Sequence, residues 1–231
     1  MTTRLVRLGA AGALWLLITI APCTAFGAPA STAGVPVAVK LGPGSSLWLN
    51  GTSTMHDFEC RTSETEIAMT RDAALGESPA DAGLPALVRT STIRTVDVTV
   101  PVGSLHSEKS GLDKNLRKTL KADQFKTITV HLERYTLPAK GAKGDTIALH
   151  AEGTITVAGE QRPITLEGRM YPGSGGMWLE GSHQLRMTEL GIKPPTMMLG
   201  TVRVGDQITV HYRLLLAGRD GAGSPSANSG H

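Results

Sequence analysis

The sequence TIALHAEGTITVAGEQRPITLEGRM, from Thr146 to Met170, alternates apolar and polar residues along two successive segments. This period of two is typical of β-strands that are buried on one face only. Turn-forming residues between Gly159 and Arg162 separate the two segments at hairpin distance. Because parallel strands need a much longer crossover connection, these two strands are predicted to be antiparallel.

The same alternation recurs along most of the chain, in LWLNGTSTMHDFEC, VDVTVPV, TITVHLERYTL, MWLEGSHQLRM and QITVHYRLLL. No helix is predicted between most of these strands, which indicates an antiparallel sheet throughout. Strands with one apolar and one polar face build a sandwich or a closed barrel, and a barrel of about eight strands can enclose one small ligand. We therefore predict an all-β fold with one short helix.

Small residues occupy the predicted inner face at Ala151, Gly153 and Gly168. Two interpretations stay open at this point. The small side chains could leave room for a ligand inside the barrel, or the glycines could serve local curvature of the strands.

The strongest helical segment is SGLDKNLRKTLKADQF, from Ser110 to Phe125. Ser110 and Asp113 have the spacing of a capping box at a helix N-terminus. One apolar stripe recurs every four residues, at Leu112, Leu116 and Leu120. We predict an amphipathic helix over residues 111–121 that closes one end of the barrel. Its leucines either plug that end or also contact a ligand.

The N-terminal stretch has the layout of a secretory signal peptide. Arg4 and Arg7 precede an apolar run, and small residues follow that run. The alternatives are an uncleaved membrane anchor and a lipoprotein signal at Cys23. The signal-peptide interpretation places the protein in the periplasm or outside the cell, with no membrane span left after cleavage.

Domain organisation follows from the two ends of the chain. Residues 1–27 are the predicted signal peptide, and residues 218–231, rich in Gly, Ser and Ala, are predicted to be a disordered tail. Residues 28–217 are long enough for a single domain with a sizeable core. The formal net charge of the 231-residue chain is +3, with no basic run interleaved with aromatic residues. Nucleic acid is therefore not a predicted partner.

Catalytic and metal-binding patterns are not found in the sequence. It has no nucleophile elbow and no metal-ligand spacing of histidines and cysteines. Cys60 is predicted to be a small buried apolar residue. Three histidines alternate with apolar neighbours and are predicted to point away from the core: His131, His150 and His211. We predict neither a catalytic residue nor a metal site.

Four segments, in this order, resemble the YceI-like family: GTSTMHDFEC, VPVGSLHSEKSGLDKNLRKTLKADQFKTITV, GTITVAGEQRPITLEGRM and LGIKPPTMMLGTVRVGDQITVHYRL. In the second segment the family has a helix with a D-x-x-L/M pattern, then an aromatic residue and a strand. Asp113, Leu116, Phe125 and Ile128 occupy those positions here. Many members have a proline before that strand, where this chain has Lys126.

The resemblance implies a lipocalin-like antiparallel β-barrel that is exported to the periplasm. In characterised members it implies a long apolar cavity that holds a polyisoprenoid chain. The expected partner is therefore an apolar lipid such as an isoprenoid quinone or a polyprenyl lipid. No other cofactor is predicted, and a homodimer stays an open alternative to a monomer.

Candidate ligand contacts are apolar residues of the predicted strands, of the helical stripe and of the segment PPTMMLG. This segment, residues 194–200, either seals the core or forms the rim of a cavity. The candidates are Phe58, Val98, Val100, Leu112, Leu116, Leu120, Phe125, Val130, Leu132, Leu149, Ile155, Leu166, Met170, Leu179, Leu185, Ile192, Met197, Met198, Val210 and Tyr212. Basic residues predicted to hold an anionic headgroup are Lys114, Arg117 and Lys193.

Three functions are compatible with the sequence. The favoured one is an exported carrier or storage protein for an isoprenoid-like lipid. The second is an exported interaction or stress-protective protein whose barrel is filled by side chains. A hydrolytic enzyme is the least favoured.

Overall fold

The structure, a computed structural model, describes residues 34–72, 92–136, 146–197 and 201–218. The predicted signal peptide over 1–27 and the candidate contact Met198 lie outside the described residues. Of the predicted tail over 218–231, only Gly218 is described.

Twelve β-strands and one α-helix are present in the described part of the chain. The helix, α1, is Ser110–Thr119. Short 3₁₀ turns lie at Val102–Ser104 and Thr188–Leu190. The strands are β1 Val35–Val37, β2 Val39–Leu41, β3 Ser46–Ser53, β4 Phe58–Thr62, β5 Glu66–Arg71, β6 Ile93–Pro101, β7 Thr127–Thr136, β8 Ile147–Val157, β9 Glu160–Gly173, β10 Gly176–Arg186, β11 Thr196–Met197 and β12 Val202–Gly218.

The strands form a curled sheet in which the named strands pair antiparallel, in the order β1-β5-β6-β7-β8-β9-β10-β12-β3-β4. Strands β2 and β11 also pair with β12. The prediction of an all-β, antiparallel, lipocalin-like fold with one helix is confirmed. The predicted number of about eight strands is lower than the twelve that the structure describes. The difference arises mainly because β1, β2 and β11 are two or three residues long and cover only parts of their neighbours.

The N-terminal segment Val35–Leu41 connects two distant strands of the sheet. Val35 to Val37 pair with β5, and after one residue the chain pairs with β12 through Leu41. Five strands separate β5 from β12 in the sheet order. A second link ties Arg61 of β4 to His106, with N–H···O distances of 2.7 and 3.0 Å.

Side chains on the inner face of the sheet form two clusters. The upper cluster lies against α1 and includes Leu49, Cys60, Val102, Leu105, Leu120, Ile155, Val157, Ile164, Leu190 and Ile192. The lower cluster includes Met69, Ile93, Met170, Met177, Tyr212, Leu214 and Leu216. The predicted strand faces produce the lower cluster and part of the upper one, since alternate residues of each strand point to the same side of a sheet. The helix end and the segments around the 3₁₀ turns add Val102, Leu105, Leu120, Leu190 and Ile192 to the upper cluster.

The small inner-face residues leave little free space beside them. A Cβ atom at Gly153 would collide with the carbonyl oxygen of His131 and would lie 2.7 Å from the Leu132 Cα atom. A Cβ atom at Gly168 would lie 3.0 Å from both the Tyr212 hydroxyl and the Glu180 carbonyl oxygen. These glycines therefore allow close approach of a neighbouring strand or ring, rather than providing room for a ligand.

Helix α1 differs from its prediction at both ends. It spans Ser110–Thr119 rather than residues 111–121, and Lys109 occupies the N-cap position without a side-chain cap. The predicted capping box is therefore wrong. The helix ends because Lys121 adopts a positive φ of 51°, while the N–H groups of Lys121 and Ala122 bond back to Lys118 and Arg117.

Asp113 fixes the first turn of α1 to the preceding loop. Its carboxylate accepts hydrogen bonds from the Ser107 backbone N–H at 2.7 Å and from the Ser107 hydroxyl at 2.6 Å. The Nδ1 atom of His106 lies 3.3 Å away. Burial, the largest single effect, raises the pKa of Asp113, but these hydrogen bonds together outweigh it and lower the pKa.

We expect Asp113→Asn to lower the free energy of unfolding by about 1–3 kcal/mol at neutral pH. A carboxylate with a lowered folded-state pKa stabilises the fold above its unfolded pKa, and this contribution is lost as pH falls through the folded value. Urea unfolding between about pH 3 and 7 should therefore show a weaker loss of stability below about pH 4 in Asp113→Asn than in the wild type. Asp123→Asn, at an exposed position, is the control. Equal acid dependence in Asp113→Asn and the wild type would contradict this role.

Candidate ligand-binding cavity

An apolar cavity lies inside the upper cluster, between α1 and the sheet. Its volume is about 160 Å³. Side chains from the strands form its walls, and one face of α1 forms its cover. The lining residues are Leu47, Leu49, Phe58, Cys60, Val98, Val100, Leu105, Leu112, Asn115, Leu116, Thr119, Leu120, Ile128, Val130, Ile155, Val157, Leu185, Met187, Leu190, Ile192, Pro195, Val204, Ile208 and Val210.

Helix α1 covers the cavity with the apolar stripe that its sequence predicts. Leu112, Leu116 and Leu120 all line the cavity. Leu120 is buried, with 7% of its surface exposed, whereas Lys114 and Lys118 on the other face are exposed. The cover is therefore a single face of one amphipathic helix, which follows from the four-residue spacing of its leucines.

Just over half of the predicted ligand contacts line this cavity. They come from β4, β6, β7, β8, β10, β12, the helix and the segment after the second 3₁₀ turn. They are Phe58, Val98, Val100, Leu112, Leu116, Leu120, Val130, Ile155, Leu185, Ile192 and Val210.

Seven further predicted contacts lie elsewhere. Leu149, Met170, Leu179 and Tyr212 pack in the lower cluster, because they are further along the same inner faces. The ring of Phe125 covers Gly159 in the turn between β8 and β9. Leu132 and Leu166 also lie outside the cavity lining. Met197 is in β11, and Met198 is outside the described residues.

The predicted headgroup residues do not line the cavity. Lys114 and Lys193 are exposed, and the Arg117 guanidinium is directed to the Gly103 carbonyl oxygen at 3.5 Å. A helix wheel places Lys114 and Arg117 on the polar face, away from the leucines that cover the cavity. These three residues are therefore not placed to contact a molecule inside the cavity.

A polar cleft of about 870 Å³ adjoins the cavity and shares Phe58, Leu112 and Val204 with its lining. Lys109, at the start of α1, places its Nζ atom 2.6 Å from His56 Nε2 across this cleft. Arg61 also contributes to its lining, while its guanidinium is paired with Glu59 and lies 4.8 Å from the centroid of the Trp48 ring. The cleft therefore provides hydrogen-bond donors beside an apolar cavity.

Sequence reasoning missed several lining residues. Ile128, Val157 and Ile208 lie on the apolar faces that the alternation identifies, so the signal for them was present. Leu105, Met187 and Leu190 lie in or beside 3₁₀ turns, where neither the strand period nor the helix period applies. Their burial depends on contacts between segments distant in sequence.

Cys60 is fully buried and lines the cavity. Burial, together with the negative charges of Asp113 and Glu59, raises the pKa of the Cys60 thiol to about 11. The thiol therefore stays protonated at neutral pH and behaves as an apolar group, as predicted from the sequence.

We expect a thiol reagent to modify folded Cys60 at a rate that keeps rising up to about pH 11, because the thiolate is the reactive form. The experiment uses the Cys23→Ser variant and follows the mass of the protein, with circular dichroism to show that the fold persists. Urea-unfolded protein is the control, and its rate should level off near the ordinary thiol pKa of 9.0. A plateau at that pH in the folded protein would contradict the buried position.

The three histidines predicted to point outward all lie on the outer face. His131 pairs with Asp97, and His150 lies 3.7 Å from carboxylate oxygens of Glu152 and Glu167. His211 stacks on Trp48, with ring centroids 5.2 Å apart. Within the described ranges, no group of three or more His, Cys, Asp or Glu side chains is arranged to hold a metal ion. In the same part of the chain, no helix has the length and apolar character needed to span a membrane.

The profile of the YceI-like domain matches residues 49–216 of the chain. The chain belongs to the YceI-like family. The resemblance seen in the sequence is therefore confirmed. A search of curated proteins gives no significant match for this YceI-like chain.

The solved structures that share the fold of this YceI-like protein include the following two. BcnA of Burkholderia cenocepacia is 13% identical, with a TM-score of 0.54, and the match covers 75% of this chain and 96% of BcnA. A polyisoprenoid binding domain from Saccharophagus degradans, implicated in plant cell wall breakdown, is 10% identical, with a TM-score of 0.55. That match covers 79% of this chain and 99% of the domain. At these identities the comparisons establish the fold alone.

Proposed function

We propose that this YceI-like protein is an exported binding protein that holds the hydrocarbon chain of an isoprenoid-like lipid in its apolar cavity. The observation that carries this proposal is the composition of the cavity lining. Apart from Cys60, Asn115 and Thr119, the lining side chains are aliphatic, aromatic, methionine or proline. Each methylene group buried in such a site contributes about 0.8 kcal/mol to binding, so a hydrocarbon chain binds there with few polar contacts.

We place the polar headgroup of the lipid in the cleft beside the cavity. Lys109 offers a donor there, and His56 lies next to Lys109. A neutral headgroup with acceptor oxygens, such as a quinone ring, has the complementary chemistry, whereas Asp57, Glu59 and Glu108 in the same lining would repel a phosphate. The shared residues Phe58 and Leu112 connect the cleft to the cavity, so one molecule can occupy both.

Family membership and the related domain from Saccharophagus degradans support a polyisoprenoid as the ligand class. The signal-like N-terminal sequence supports export to the periplasm. The lining offers no nucleophile paired with a base, which supports a binding role rather than a catalytic one.

A barrel filled by side chains is the second candidate, and the lower cluster favours it for one half of the molecule. Met69, Met170, Met177 and Tyr212 occupy that half. A surface-acting protein of this kind would bind no lipid in the upper half either, so lipid content distinguishes the two functions.

The test is native mass spectrometry of protein exported to a bacterial periplasm, with organic extraction of the same sample. We expect one isoprenoid-like lipid per chain, and the spectrum also gives the oligomeric state. Added lipid should slow the modification of Cys60 in the Cys23→Ser variant, because Cys60 lines the cavity. Lipid-free protein that takes up no added isoprenoid and leaves Cys60 modification unchanged would overturn the proposal.

A further inference from the structure

Along the length of the strands, the barrel interior changes at one level from an open cavity to packed side chains. On β12, Val204, Ile208 and Val210 line the cavity, whereas Tyr212 and the inward residues after it belong to the lower cluster. On β10, Leu185 lines the cavity and Leu179 packs in the lower cluster. Because a strand rises about 3.3 Å per residue, the open part covers only about 20 Å along β12.

Tyr212 lies at this level, in the lower cluster, and is flanked by two residues that line the cavity. Its partner on β3 is Leu47, which lines the cavity, and its neighbour on the same face of β12 is Val210, which also lines it. On the other side, Tyr212 is paired with Gly181 of β10. The Tyr212 side chain is buried, with 9% of its surface exposed.

Three contacts hold the Tyr212 side chain against β10 and β9, the next two strands of the sheet. Its hydroxyl donates a hydrogen bond to the Glu167 carbonyl oxygen at 2.7 Å. Gly168 and Gly181 lie under the end of the ring, and a Cβ atom at either position would lie within 3.0 Å of the Tyr212 hydroxyl. The hydrogen bond and the two glycines therefore act together to keep the ring extended over β9 and β10.

The free volume sets a limit on the ligand. A cavity of about 160 Å³ is smaller than the roughly 300–1,000 Å³ of pockets that hold drug-sized ligands. It therefore has room for a short hydrocarbon chain and not for a long one. A chain that extended through the whole barrel would have to displace Tyr212 and the methionines below it.

We propose that Tyr212 is the floor of the cavity and determines the length of isoprenoid chain that the protein accepts. This inference rests on the proposed function. Strand alternation alone shows only that Tyr212 points inward, and it does not reveal this role in ligand specificity. Short chains fit above the ring, and the additional units of a longer chain stay outside the apolar lining.

The experiment measures binding of a series of quinones that share one headgroup and carry two, three, four or eight isoprene units. For the wild type, the Kd should fall at least about tenfold per unit over the short members, because each added unit buries several methylene groups. The longest quinone should bind within about threefold of the best short one.

The Tyr212→Ala variant removes the floor, and the Kd of the longest quinone should fall at least about tenfold while the shortest changes less than about threefold. Tyr171→Ala is the matched control, since the Tyr171 hydroxyl also bonds to its neighbour strand, at Glu180, but on the outer face. Should Tyr212→Ala fail to fold, Tyr212→Met keeps apolar volume while removing the rigid ring and its hydrogen bond.

The possible results separate the two proposals. A wild-type Kd that continues to fall up to the longest quinone would overturn the role of Tyr212, while leaving the lipid-binding function intact. Equal length profiles for the wild type and the folded Tyr212 variants would also overturn it. Failure of every quinone to bind the wild type would instead count against the proposed function.

Discussion

We expect the Ile155→Glu variant to lose lipid uptake and at least about 3 kcal/mol of unfolding free energy. Ile155 lies in the middle of the sheet on β8, is 7% exposed, and lines the cavity opposite Val130 of β7. A glutamate there would place a carboxylate among aliphatic side chains with no cation beside it. The expected measurements are a lower urea midpoint and a lipid-free mass spectrum.

Thr156→Glu is the matched control for this change. Thr156 is the next residue on β8, faces outward, and pairs with Thr129 and Gln161 on the neighbouring strands. A surface substitution of this kind should alter the unfolding free energy by less than about 0.5 kcal/mol and leave lipid content unchanged. Wild-type stability and lipid content in Ile155→Glu would show that the assigned inner face of β8 is wrong.

The second large effect is expected for Gly153→Ala. This variant should lose at least about 3 kcal/mol of unfolding free energy or fail to fold. Its new Cβ atom would collide with the His131 carbonyl oxygen and approach the Leu132 Cα atom. Because both of these atoms belong to the backbone of β7, a side-chain rotation cannot relieve the collision. Strands β7 and β8 would have to separate where their register already shifts, after Leu132.

Gly111→Ala is the control, and its expected effect has the opposite sign. Gly111 lies in the first turn of α1, and a Cβ atom there would meet no atom within 4 Å. Alanine favours the helix over glycine by up to about 1 kcal/mol, so this variant should be slightly more stable than the wild type. Thermal unfolding of both variants tests the pair. A Gly153→Ala variant as stable as Gly111→Ala would exclude the close approach of β7 and β8.

The residues that face the barrel interior could be predicted well from the sequence, for a simple physical reason. The side chains of a regular strand alternate strictly between two faces, so the apolar residues of β7, β8 and β12 identify their own inner side. The helical stripe was equally clear, since a spacing of four residues keeps Leu112, Leu116 and Leu120 on one face.

The position of a residue along the length of the barrel could not be predicted in the same way. Val210 and Tyr212 have the same parity on the same strand, yet one lines the cavity and the other packs in the lower cluster. Their difference depends on Gly168 and Gly181, which belong to other strands. The polar cleft was missed for a related reason, because Lys109 and His56 are 53 residues apart in sequence and meet only after folding.

The pairing of the segment Val35–Leu41 has a consequence for the order of folding. Val39 and Leu41 pair with Gly218 and Leu216, at the far end of the domain, so about 175 residues of chain must be in place before this contact forms. Contacts between residues so distant in sequence carry a large loop-closure entropy and slow the search for the native state. Strand β2, near the start of the fold, must therefore wait with its edge unpaired until β12, the last strand, is available.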